Sequence, residues 1–107
     1  MELKQSLTGT FYLRACNALR ELLNDVVKDK PEWLIVIGDI ESIHNDMANQ
    51  TGSLMAMMMY KEKAISRIND LTSDIYELDE DYEPNSLTDL KDAVSFARQV
   101  DKLMEAK

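Results

Sequence analysis

Apolar residues recur along this chain at steps of three and four. Phe11, Ala15, Ala18, Leu19, Leu22 and Val26 share one side of a helix, predicted to run from about residue 7 to 29. Pro31 closes it, because the residue before a proline avoids the α region. Pro31 also suits the first turn of a following helix, where its missing N–H is not needed, with Asp29 as a candidate cap.

From there one pattern runs far. Val36, Ile40, Ile43, Met47, Gln50, Leu54, Met57, Lys61, Ala64, Ile68, Leu71, Ile75 and Leu78 alternate steps of four and three, a heptad a/d seam. Only Gln50 and Lys61 interrupt it. The seam crosses NQTGS at 49–53, where Gly52 could follow a helix end and Ser53 could cap a new helix. The heptad phase is the same on both sides of this break. That favours one long helix from about 31 to 79, on the order of 70 Å at 1.5 Å per residue. A hairpin broken at Gly52 is the alternative. The acidic stretch ELDEDYEP frays the helix end, since carboxylates oppose the macrodipole there, and Pro84 bars continuation. Ser86-Leu87-Thr88-Asp89 resembles a capping box. A last helix is predicted from about 87 to 105, with Leu87, Leu90, Val94, Ala97 and Met104 on one side.

The expected fold is therefore all-α and single-domain over residues 1–107. A long central helix is flanked by two shorter antiparallel helices with coiled-coil-like packing. Two short helices leave the middle of a 70 Å helix thinly covered, so a homodimer or higher oligomer is expected. Met47, Gln50, Leu54, Met57, Met58 and Lys61 would form that self-interface.

Charge narrows the partners. The net charge is −8. Residues 31–60 contain four acidic and no basic groups, and residues 61–107 contain twelve acidic against seven basic. Direct nucleic-acid binding needs a basic surface, so it is not expected, nor is binding to an anionic membrane. No apolar run nears the roughly 18 residues of a membrane span. MELKQSLTGT lacks the apolar core of a secretory leader, and the lone Cys16 allows no internal disulfide. A cytoplasmic protein is expected.

Candidate chemistry is sparse. Glu41 and His44 have the E-x-x-H spacing found in di-iron helix bundles, but one histidine cannot supply the two motifs such a centre uses. A hydrogen-bonded core or interface histidine is the simpler expectation. Cys16 has no evident base and reads as a buried thiol. Gly9, Gly38 and Gly52 are isolated and form no phosphate loop. No enzyme activity, metal or cofactor is expected.

LMAMMMY at 54–60 is the distinctive segment. Met57 and Met58 fall on the apolar stripe of a helical wheel, whereas Met55 and Met59 fall off it beside Glu62, Lys63 and Ser66. A wide stripe could bury all four. Otherwise the off-stripe pair forms an adaptable contact surface, a use that suits methionine. Asp74, Glu77, Asp79, Glu80, Asp81 and Glu83 could dock a basic partner. Trp33, with Leu34 and Ile35, forms a second off-stripe cluster, expected to pack under the first helix, with a partner anchor as the alternative. These features point to a non-enzymatic protein–protein interaction module, acting as adaptor, inhibitor or regulator. Small acidic helical regulators are common among phage and plasmid proteins. A self-assembling structural subunit, and a small metal protein or enzyme using Glu41 and His44, are the alternatives.

Overall fold

A computed structural model of the protein describes residues 3–26 and 30–105, with side chains over 7–26 and 30–103. Its elements are α1 (Leu3–Asp25), a 3₁₀ turn (Pro31–Trp33), α2 (Leu34–Gln50), α3 (Leu54–Leu78) and α4 (Asn85–Glu105). No strand occurs among the described residues. The all-α expectation holds, but four helices stand where three were predicted. The predicted helix over 31–79 is a hairpin of α2 and α3.

The break has local causes. The Thr51 hydroxyl donates to the Ala48 carbonyl (2.7 Å) and its N–H reaches the same oxygen (3.2 Å), closing α2. Ser53 has extended backbone, and its hydroxyl accepts from the Ala56 N–H at 3.2 Å, capping α3. Gly52 does not adopt a positive φ, so it does not end α2 in the left-handed way glycine permits. The preserved heptad phase misleads for a simple reason. Each arm of the hairpin lays the seam against the same core, so the seam continues whether the helix does or not.

The seam itself predicts burial well. Val36, Ile40, Ile43 and Met47 on α2 are buried, as are Met57, Lys61, Ala64, Ile68, Leu71 and Ile75 on α3. They meet Phe11, Tyr12, Ala15, Leu19 and Leu22 from α1 and Leu87, Leu90, Ala93 and Ala97 from α4. The hairpin also brings the middle of the predicted long helix under the chain's own cover. The physical reason for requiring a second copy is thereby removed.

The helix pairs differ in closeness. α1 and α4 pack most intimately. Their faces carry the small buried residues Ala15, Ala18, Ala93 and Ala97, which let backbones approach. α3 and α4 pack far more loosely than α1 and α4. Their seam is spanned by polar pairs: Lys61 with Asp101, Arg98 with Glu62 (2.8 Å), and Lys91 with Tyr76 (2.7 Å).

Helix ends depart from expectation in two places. α1 ends at Asp25, short of residue 29, and Asp29, the candidate cap, lies outside the described residues. Ser86 does not cap α4. It is buried inside the first turn and donates to Asp25 Oδ2 at 2.8 Å, while the Pro84 carbonyl accepts from the N–H groups of Leu87 and Thr88. The Met104 side chain lies outside the described residues.

Candidate functional site

α3 begins with the methionine segment, and its inner and outer sides contrast. On the inner side Met57 is 5% exposed, and Met58 is half-buried. The Tyr12 hydroxyl of α1 donates to the Met57 carbonyl at 2.9 Å. Phe11 meets the Tyr12 ring edge-to-face at 5.5 Å. Burial, with smaller contributions from Tyr60 and Cys16, pushes the Tyr12 pKa well above its ordinary range. Tyr12 therefore holds its proton, and α3's first turns are fixed to α1 by a buried neutral hydrogen bond.

On the outer side Met55 is 72% exposed and Met59 80%. They lie one turn apart with Glu62 a further turn on, and all three face solvent. The wide-stripe expectation, which would bury them, does not hold within this chain. Single exposed apolar side chains are ordinary, but two adjacent methionines on a firmly anchored turn form a patch.

Of the residues expected at a self-interface, Met47, Met57 and Lys61 are covered by the chain's own helices. Gln50 and Met58 are half-buried, and Leu54 is at the edge of exposure. Gln50 reaches back to the Asp46 carbonyl at 3.2 Å, and Lys61 pairs with Asp101. The two polar interruptions of the heptad seam thus have partners within the same chain.

The acidic stretch lies at the opposite end of α3, about 30 Å away at 1.5 Å per residue. Asp74, Glu77, Asp79, Glu80, Asp81 and Glu83 are all exposed. Part of the stretch is engaged. Asp79 Oδ1 accepts from the Asp81 N–H at 3.0 Å, and Glu83 accepts from the Tyr76 hydroxyl at 2.7 Å. Lys91 donates to Tyr76, which raises the lysine's pKa. Tyr82 donates to the Asp25 carbonyl at 2.9 Å and lies 5.0 Å from the Trp33 ring. Burial and the nearby carboxylates Asp25 and Asp79 raise the Tyr82 pKa. Trp33 is therefore packed as expected, but against Tyr82 of the α3–α4 connection. Its neighbours Leu34 (60%) and Ile35 (77%) are left exposed.

Glu41 is exposed and His44 half-buried on α2. No group of three or more His, Cys, Asp and Glu side chains with metal-holding geometry occurs among the described residues. Cys16 is buried, and desolvation raises its pKa, which keeps it in the less nucleophilic thiol form.

One constellation escapes sequence reading. Arg67 of α3 donates to Asp46 and to Ser42 (2.9 Å) of α2 and to Tyr60 (2.8 Å) of α3. The Tyr60 hydrogen bond chiefly, aided by Asp46, raises the arginine's pKa. This network staples the α2–α3 hairpin. Its only sequence signal is the seven-residue spacing of Tyr60 and Arg67, which places both on one helix side. A groove of ≈ 270 Å³ beside it is lined by Asp39, Ile43, Arg67, Asp70, Leu71 and Asp74. A second, of ≈ 220 Å³, lies in the α3–α4 seam between Thr8, Met58, Lys61, Glu62 and Asp101.

No helix among the described residues is long and apolar enough to cross a membrane. The chain matches no protein-family model, no curated protein and no solved structure.

Proposed function

We propose that this chain is a non-enzymatic interaction module that binds a protein partner through the outer side of α3, as an adaptor, inhibitor or regulator. The observation that carries this reading is the exposure of Met55 and Met59 on a turn whose inner side is fixed by Tyr12 and Met57. An anchored turn loses little conformational freedom on binding, and methionine adapts to an irregular partner surface. The acidic residues at 74–83 supply long-range attraction to a basic partner, within reach of about 10 Å at 0.1 M salt.

The test is cross-linked capture from native lysate with the wild type and with Met55→Asp plus Met59→Asp, with light scattering and circular dichroism on both. The expected result is a partner captured by the wild type and lost by a variant that keeps its helix content and its own association state. Equal capture by both proteins would overturn the reading. A variant that dissociates or unfolds would move the methionines into a self-interface or the core.

A further inference from the structure

The solvent side of α3 carries a pattern of its own. Met55, Met59, Glu62, Asp70 and Glu77 lie at heptad-compatible spacing with serines between, and all are exposed. They form one straight strip opposite the buried seam. The strip is polarised. Its first two turns are apolar at Met55 and Met59, and Glu62 on the next turn is paired with Arg98 of α4. Its second half is anionic, with Asp74 beside Asp70 and Glu77. From Met55 to Glu77 it spans about 33 Å, and from Met59 to Asp70 about 17 Å, at 1.5 Å per residue.

Among the described residues Asp70, Asp74 and Glu77 form no ion pair, although Arg67 lines a groove with Asp70 and Asp74, and Lys91 reaches Tyr76 next to Glu77. Arg67 is turned to α2 and held by Asp46, Ser42 and Tyr60. Lys63 lies in the methionine half, 6.0 Å over the Tyr60 ring. The last turn of α3 has no basic residue, so its carbonyl ends add to the negative potential of the carboxylates.

This polarity selects the occupant. A second copy laid antiparallel along the strip would place methionines on carboxylates. A parallel copy would align carboxylate with carboxylate. Both arrangements oppose association over the full strip. We propose that the occupant is an amphipathic helical segment of another protein, apolar at one end and rich in Lys and Arg at the other. It lies lengthwise on α3, with its apolar end on Met55 and Met59 and its basic end on Asp70, Asp74 and Glu77. This deepens the interaction-module reading and rests on it.

The probe is a designed helical peptide of about 24 residues, long enough at 1.5 Å per residue to cover the strip. It carries leucines on two adjacent turns at one end and lysines along the same face at the other. A second peptide replaces the lysines by glutamine. Binding is followed by calorimetry and by amide shifts in the NMR spectrum. The proteins are the wild type, Met55→Ser plus Met59→Ser, and Asp70→Asn plus Asp74→Asn plus Glu77→Gln, each checked for helix content. The lysine peptide is expected to shift amides along 55–77 of the wild type, and each variant to weaken it by about tenfold or more. Raising salt from about 50 to 300 mM should weaken binding to the wild type but not to the acid-neutralised variant. Equal binding of both peptides at Met55 and Met59 would overturn the basic-helix proposal and leave the interaction module standing. No binding of either peptide, or binding indifferent to the methionine changes, would overturn the proposal. Whether lysate capture depends on the same methionines then decides separately whether the module reading survives.

Discussion

The two ends of α3 are both exposed, but for different reasons. At the C-terminal end, charged side chains face water, as charged side chains do by default, and beneath them the chain is tied down. Tyr82 lies on Trp33 and bonds the Asp25 carbonyl, and Glu83 takes hydrogen from Tyr76. At the N-terminal end, Met55 and Met59 face water although burial would be favourable, at roughly 25 cal/mol per Å². Exposure of carboxylates needs no explanation, whereas exposure of paired large apolar side chains on an anchored turn does. The methionine end therefore carries the functional reading, and the acidic end combines structural work with long-range charge.

This contrast can be broken at its strongest point first. Trp33→Ala empties the site under Tyr82 and is expected to destabilise the fold by about 3–5 kcal/mol, read by urea unfolding under circular dichroism. An effect below about 1 kcal/mol would mean that the acidic end is not tied down as described.

Tyr12→Phe removes the buried bond beneath the methionine turn and is expected to cost about 1 kcal/mol at neutral pH. It should also change the alkaline response. Burial raises the Tyr12 pKa in the folded state, so wild-type stability from this group is complete below about pH 10 and falls as pH rises above it. The phenylalanine variant lacks that share of the fall, and unfolding midpoints measured between about pH 8 and 11 show whether its curve is flatter.

Tyr82→Phe deletes only the hydroxyl bonded to Asp25 and is expected to cost about 1 kcal/mol, with the Trp33 contact kept. Met55→Asp plus Met59→Asp is expected to shift stability least, within about 0.5 kcal/mol per site, while abolishing partner capture. Together the last two changes separate a surface that supports the fold from one that does not.

Most of the core was legible in the sequence. The heptad seam names nearly every buried residue of α2 and α3, because periodicity reports which side of a helix meets the core. It could not report chain direction. A seam folded back on itself and a seam continued straight bury the same side chains, and the difference lies in Thr51 and Ser53, two hydroxyls that close one helix and open the next. Met55 and Met59 were separable from Met57 and Met58 on the wheel, so the candidate surface was visible. Whether it was covered depended on the partner of α3, which local pattern does not specify. Trp33 with Tyr82, Ser86 with Asp25, and Arg67 with Asp46 join residues between 21 and 61 positions apart, and no local rule links them.

The proposed function requires contact between the outer side of α3 at Met59 and another protein. Its most direct test is a photo-crosslinking residue placed at position 59 in the chain, irradiated in its native cells and followed by mass spectrometry of the adducts. Adducts to a different protein, at or beside a helical segment rich in Lys and Arg, are expected. Adducts only to a second copy of this chain, or none above those of a crosslinker at exposed Thr88, would contradict the proposed function.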